Sequence, residues 1–319
     1  MAEKKPPLLV LLGPTAVGKT ALSLSLAEAL GTDIISGDSM LVYRGFDIGS
    51  AKPSPAEQAR VRHHLVDVLD ADASFSVTAF VTCVSELAAA QTAAGRIPFV
   101  VGGTGLYLKA LLEGYDFNET GAHICFRRAM EGVAERRGNI RIHALLARRD
   151  PAAAQRLGGH NLRRMIRALE VVRYGGEHIS RESAMQAGRA PYDAFVIGLH
   201  RERAHLYARI NARVEAMFAA GLADEVAALM ACGIGRDAPA MKGIGYKETA
   251  AYLAGEMCCL DAVAAIQTAT RHFAKRQMTW YRKMPYIRWY DADGADEADL
   301  LHQILTDVRV WQEKRERSA

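Results

Sequence analysis

Cysteine is scarce, with five residues in 319: Cys83, Cys125, Cys232, Cys258 and Cys259. The number is odd, no CxxC pair occurs and no histidine pair follows at finger spacing, so neither a disulfide scaffold nor a structural zinc site is expected. The histidines form no HxxxH or HExxH pattern, which leaves a histidine metal site without support. Long apolar runs are missing too. Leu8–Leu12 is short and leads into Gly13-Pro14 instead of a cleavage site, and no stretch reaches the roughly 18 to 20 apolar residues that cross a bilayer. A soluble, cytoplasmic chain without membrane contact is the expectation. An overall charge of one sign is also absent, because 40 Lys and Arg against 36 Asp and Glu leave +4. With half of the residues hydrophobic, 24% charged, no repeat and no low-complexity tract, disordered and collagen-like readings are excluded.

What is present is a chain long enough for a large core with a second domain inserted. Short runs rich in branched apolar residues occur at Leu8–Leu12, Asp33–Ser36, Ile97–Val101 and Phe195–Leu199, each reading as a strand buried on both faces, and Leu65–Leu69 reads as a further strand. Helical patterning covers 20–30, 77–94, 207–217, 222–230 and 260–278. Strands alternating with helices predict an α/β fold with a mostly parallel sheet. Residues 1–115 plus 186–319 are expected to form this core, and residues 116–185 a helical insertion. The stretch from Asp291 begins acidic and ends in charge, and reads as a partly frayed tail.

The sequence Gly13-Pro14-Thr15-Ala16-Val17-Gly18-Lys19-Thr20 fits GxxxxGK[ST] between a predicted strand and a predicted helix, making the core a P-loop one. Backbone N–H groups of such a loop cradle phosphate oxygens, the lysine reaches the terminal phosphate and the Thr20 hydroxyl can ligate Mg²⁺. The loop leaves open whether a triphosphate or a diphosphate is held. Ser36-Gly37-Asp38-Ser39 ends the second strand, and ligands of parallel sheets sit beyond the carboxyl ends, so Asp38 falls near the loop. There it could hold a metal through water, accept a proton from a nucleophile, or merely cap a turn. Gly102-Gly103-Thr104-Gly105 ends a third strand in the same way.

The near-neutral total hides two basic regions. Between Arg127 and Arg167, eleven arginines face three acids. From Ala262 to Tyr290 no acid occurs, while Arg271, Lys275, Arg276, Arg282, Lys283 and Arg288 alternate with Phe273, Trp280, Tyr281, Tyr286 and Trp289. An ordinary solvated helix would use such residues, but together they suggest a polyanion larger than a free nucleotide, with aromatics available to stack on bases.

With these segments in view, the chain resembles the tRNA dimethylallyltransferases, also called tRNA isopentenyltransferases. The likeness runs over about residues 8 to 290: Gly13–Thr20, Ser36–Ser39, Val42-Tyr43-Arg44-Gly45, Asp47-Ile48-Gly49, Ala51-Lys52-Pro53, His63-His64-Leu65, Val101–Tyr107, Arg167-Ala168-Leu169-Glu170, Gly243–Glu248 and Thr270–Trp280. The resemblance implies transfer of a dimethylallyl group from dimethylallyl diphosphate to N6 of adenosine 37 in tRNAs that read codons beginning with U. It implies that Gly13–Thr20 hold the donor's diphosphate with Mg²⁺, so that the family's ATP-binding label describes a motif. It further implies that Asp38 is the general base and that Thr104 lies close to substrate. Lys19, Thr20 and Arg271 would stabilise the leaving diphosphate. Asp38, Ser39, Met40, Leu41 and Thr104 would meet the target base and its neighbours. By position in the family pattern, Arg127, Arg163, Arg164 and Arg167 of the insertion, with Lys275 and Arg276, are candidate tRNA contacts on the anticodon stem-loop. The chain is expected to act as a monomer.

Three departures from the family pattern stand out. Leu41 occupies a position usually held by Gln, Gly158-Gly159-His160-Asn161 replaces His-Pro-Asn-Asp and is expected to loosen the following helix's cap, and Asn118–Cys125 lacks the usual proline-containing start. No zinc finger follows Trp289, as in the short bacterial form. The competing readings are a small-molecule or nucleoside kinase, which would use the loop and Asp38 equally well, prenylation of a free adenine nucleotide, and a non-catalytic RNA-binding protein.

Overall fold

The computed structural model describes residues 5–115, 123–175, 190–294 and 296–317. It is a mixed α/β protein whose chain divides into two compact units, Met1–Leu112 with Pro191–Ala319, and Glu113–Ala190.

The first unit is built on six parallel strands in the order β3-β2-β4-β1-β5-β6. These are β1 (Pro7–Leu12), β2 (Ile34–Ser36), β3 (His63–His64), β4 (Phe99–Gly102), β5 (Asp193–His200) and β6 (Ile287–Asp291). Central β1 explains why a continuous apolar run is needed. Leu8, Val10 and Leu12 enter one cluster and Leu9 and Leu11 the other, all fully buried, because successive side chains of a strand point to opposite faces. On the first face pack α3 (Val77–Ala93) and α4 (Gly105–Glu113), together with α10 (Leu222–Ala231) and α11 (Tyr246–Leu253). On the second lie α1 (Lys19–Leu30), the C-terminal α13 (Glu297–Arg317) and the first half of α9 (Arg203–Ala219), whose Val214, Met217 and Phe218 join the first cluster. The long α12 (Cys259–Tyr281) contributes to both clusters, and α2 (Pro55–Arg60) is a short helix closed by a Ser54/Glu57 capping box.

Two expectations are corrected here. Leu65–Leu69 is not a strand: Leu65 and Asp67 take positive φ values of 60° and 55°, which break extension, and a single bridge joins Leu69 to Tyr43. The neighbouring pair His63–His64 pairs with β2 instead. The C-terminal stretch is no frayed tail over its described residues. Leu300, Ile304, Val308 and Trp311 recur at spacings of four, four and three and bury one stripe of α13, while Arg315 closes it onto Asp193.

The second unit holds α5 (Ile124–Arg137), α6 (Asn139–Arg149), α7 (Pro151–Leu157) and α8 (Leu162–Tyr174) around Ile142, Leu146, Met165 and Ile166. The expected loosening of α8 is absent. Asn161 accepts the Arg164 N–H at 3.2 Å through its side chain, so the altered segment still supplies an N-cap. Of the unusual start to the insertion, residues 118–122 lie outside the described residues.

Candidate active site

The loop from Gly13 to Gly18 leaves the carboxyl end of β1 and enters α1. Its lysine is folded back: Lys19 Nζ donates to the carbonyls of Gly13 and Pro14, at 2.9 Å each. Burial pulls the Lys19 ammonium down to about 8, against the charge of Asp38, which acts to raise it.

Two neighbouring strand ends reach the same place. Gly37 N–H donates to the Val101 carbonyl at 2.7 Å, and a Cβ on Gly102 would lie 2.4 Å from the Gly37 backbone, so only glycine lets the ends of β2 and β4 approach this closely. Ser39 N–H then donates to Thr104 Oγ1 at 3.1 Å. Asp38 sits between them with Oδ1 accepting the Met40 N–H at 2.8 Å, while Oδ2 has no hydrogen-bond partner among the described residues.

Helix α12 ties these ends together. Gln277 accepts the Thr15 N–H at 2.9 Å and donates to the Gly103 carbonyl at 2.7 Å, and the Tyr281 hydroxyl donates to the same carbonyl at 2.8 Å. Burial and the charge of Asp38 push the Tyr281 phenol well above its ordinary range, which keeps it a donor. From α9, Arg209 donates to the Ala16 carbonyl at 2.9 Å, and from the end of β5 Arg201 donates to the Val17 carbonyl at 2.9 Å.

These groups surround a cavity of about 670 Å³ lined by Thr15, Ala16, Gly18, Lys19 and Thr20 on one side and by Asp38, Leu41, Arg213 and Phe273 on others. Arg213 is its most informative residue. Burial lowers the affinity of its guanidinium for the proton, with Asp38 opposing, and no hydrogen-bond or ion-pair partner for it occurs among the described residues. A partly buried cation without a hydrogen-bond partner is unfavourable, and an anionic ligand in the cavity would supply one.

The structure therefore brings together Gly13–Thr20, Asp38, Leu41 and, through Ser39, Thr104. Arg271 lies elsewhere. It is not among the cavity-lining residues, and its guanidinium donates to Asn211 Oδ1 at 2.6 Å and Thr268 Oγ1 at 2.9 Å. On α12 the lining residues are Phe273 and Gln277, four apart, and position 271 is turned about 200° from 273 at roughly 100° per residue. Lys275 and Arg276 are exposed on the same helix, Arg276 over the ring of Phe273 and Lys275 beside Arg203 and Arg282 at a smaller cavity of about 240 Å³. In the second unit, Arg163 and Arg164 are exposed at the start of α8. Arg127 and Arg167 instead converge on Glu170, which is fully buried and also accepts the His123 N–H. Sequence reading missed Arg209, Arg213, Gln277 and Tyr281. The i,i+4 spacing of the first two was visible, but nothing local showed which way that helix face turned.

The family model described as IPP transferase matches residues 41–284, and one described as isopentenyl transferase matches residues 6–75. A tRNA dimethylallyltransferase of Roseiflexus sp. is 45% identical over 305 residues, covering 96% of this chain and 98% of the relative. The chain belongs to the tRNA dimethylallyltransferase family. Another member, from Symbiobacterium thermophilum, is 46% identical over 97% of this chain and 96% of its own length. Among solved members, the tRNA isopentenylpyrophosphate transferase of Bacillus halodurans superposes with a TM-score of 0.74 at 38% identity, covering 98% of this chain and 99% of that one. A eukaryotic dimethylallyltransferase acting on tRNA gives a TM-score of 0.78 at 26% identity, over 90% of this chain and 74% of its own. Within this family frame, the loop, Asp38 and the Arg213 side of the cavity form one continuous lining. No group of three or more His, Cys, Asp or Glu suited to a metal occurs among the described residues, and no helix among them is long and apolar enough to cross a membrane.

Proposed function

We propose that the chain transfers the dimethylallyl group of dimethylallyl diphosphate to N6 of adenosine 37 in tRNAs reading codons beginning with U, releasing diphosphate. The observation that carries this reading beyond family membership is the Arg213 guanidinium, without a hydrogen-bond partner among the described residues, lining one cavity with Lys19 and Asp38. That cavity pairs an anion-holding side with a proton acceptor, which is what attack by an aromatic amine on an allylic diphosphate requires. As N6 attacks C1, the C–O bond breaks and negative charge grows on the departing diphosphate. Lys19, Arg213 and the N–H groups at the start of α1 offset that charge, and Asp38 takes the N6 proton. An exocyclic amine on an aromatic ring is a weak nucleophile, so holding it in line with C1 contributes much of the rate.

Mg²⁺ fits the donor set. Thr20 offers a hydroxyl at the start of α1 that has no partner among the described residues, and such ions are held by one or two protein oxygens with substrate phosphates and water. When bound it would withdraw charge from the leaving diphosphate. Thr104 acts on substrate through Ser39 in this reading, and Arg271 serves the packing of α9 on α12. Residues 116–185 are the part that meets the anticodon stem-loop, chiefly through Arg163 and Arg164, with Lys275 and Arg276 as contacts from the core unit; the target adenine leaves its loop stack to reach Asp38.

The test is incubation with Mg²⁺, unmodified tRNA and radiolabelled dimethylallyl diphosphate, ATP omitted, followed by nuclease digestion and mass analysis. Label on N6 of adenosine 37 is expected, and Asp38→Ala should lose transfer by orders of magnitude while still binding donor. ATP turnover without prenyl transfer would favour a kinase and overturn the reading.

A further inference from the structure

Two motifs of the sequence, Asp47-Ile48-Gly49 with Ala51-Lys52-Pro53 and Gly243–Glu248, take no part in the chemistry above. The structure joins them through Glu225 of α10. Glu225 Oε2 accepts the N–H groups of Asp47 at 3.1 Å and Ile48 at 2.7 Å, and Oε1 accepts the Gly49 N–H at 3.3 Å and the Tyr246 hydroxyl at 2.8 Å. The Tyr246 oxygen in turn accepts the Ser50 N–H at 3.1 Å. Four consecutive backbone amides of one loop thus end on one carboxylate and one phenol. The phenol is fully buried against Phe46, with ring centroids 4.8 Å apart, and burial plus the Glu225 charge keep it protonated. A Cβ at Gly49 would lie 2.6 Å from the Tyr246 ring, so the loop is pressed onto the tyrosine as closely as a glycine permits. From the other side the buried Lys52 ammonium donates to the Tyr43 carbonyl at 2.9 Å and to the carboxylates of Asp47 and Asp67.

A loop held from both sides has a use here, because Ser50, Ala51 and Pro53 line the main cavity with Asp38, Leu41 and Arg213. They are small and uncharged, and no hydrogen bond among the described residues links residues 47–53 to the phosphate-holding residues 13–20. The wall and the loop of residues 13–20 are therefore not coupled by hydrogen bonds. Resting on the function proposed above, we propose that Glu225 is a positioning residue that fixes residues 47–53 as the wall against which the donor's five-carbon chain packs, and so limits the length of chain accepted. Only a carboxylate suits this task. Glutamine offers one acceptor oxygen in place of two and turns an N–H₂ toward N–H donors.

The test compares kcat/KM for dimethylallyl diphosphate with that for the ten-carbon geranyl diphosphate, tRNA saturating, in the wild-type protein, Glu225→Gln and Tyr246→Phe. The ratio is independent of how much protein is active, so a merely structural defect leaves it unmoved. We expect Glu225→Gln to lower the preference for the five-carbon donor at least tenfold and Tyr246→Phe, which keeps its ring contacts, about threefold, with inhibition by inorganic diphosphate unchanged within twofold. A wild-type ratio in folded Tyr246→Phe and Glu225→Gln would overturn the inference, as would a parallel loss of diphosphate inhibition. Should Glu225→Gln not fold, Tyr246→Phe decides alone. Absence of transfer by the wild-type protein itself overturns the functional reading, and this inference with it.

Discussion

Lys19 shows how a single side chain is tuned by what surrounds it. In the free protein its ammonium rests on two carbonyls and burial pulls it down to about 8. A group with a depressed affinity for protons loses its charge as pH rises through that value, before the same group in an unfolded chain would. Dimethylallyl diphosphate binding should therefore be flat from pH 7 to about 8 and weaken by up to about tenfold per unit above it, as checked by calorimetric titration. Lys19→Met should bind weakly throughout and lose the pH dependence. Stability follows the opposite sign, because an unfolded chain holds this proton between about pH 8 and 10.5 and the folded one does not, so this lysine makes unfolding less favourable as pH rises across that window.

Helices and strands differ in how much of their role is written locally. The buried β1, β4 and β5 could be read from apolar runs because both faces are covered, whereas β3 is two histidines and β6, Ile287-Arg-Trp-Tyr-Asp, carries exposed positions at an edge, so neither has a distinctive pattern. The turn from β1 into α1 at residues 13–18 was likewise legible, being contiguous. Arg213 and Gln277 were not, since their place depends on how α9 and α12 lie against the sheet, which no local window contains. Helix α8 poses the same difficulty: its arginines look alike in sequence, yet Arg167 is bound to Glu170 while Arg163 and Arg164 face water. Burial alone would raise the Glu170 carboxyl, but hydrogen bonds from Arg127, Arg167 and the His123 N–H outweigh it and hold it at about 2. Its contribution is fully present above the ordinary carboxylate value of 4.5 and is lost as pH falls from there through about 2. Glu170→Gln should cost about 2 kcal/mol, below the range for a wholly buried pair because both guanidiniums reach water, and should abolish the acid-sensitive part of the helical unit's unfolding, as followed by circular dichroism.

Across the whole molecule, charge is segregated instead of accumulated. A net +4 conceals an excess of eight positive charges between Arg127 and Arg167, so RNA binding should depend on salt far more strongly than the total suggests. If Arg163 and Arg164 contact phosphates, replacing either by alanine should lower the slope of log affinity against log salt by about one without changing the melting temperature. Arg127→Ala should do the reverse, lowering the melting temperature through Glu170. Filter binding at several salt concentrations, beside thermal melts, separates the two kinds of arginine.

The strand order has a bearing on how the chain is made. Central β1 has β4 on one side and β5 on the other, and β5 is encoded only after the inserted helices. While the nascent chain emerges from the ribosome, the four strands β3, β2, β4 and β1 can pair, but one edge of β1, among the most apolar segments in the protein, stays open until about ninety further residues have been synthesised. The helical insertion, with a core of its own, can fold during that interval, before β5 is made and pairs with β1.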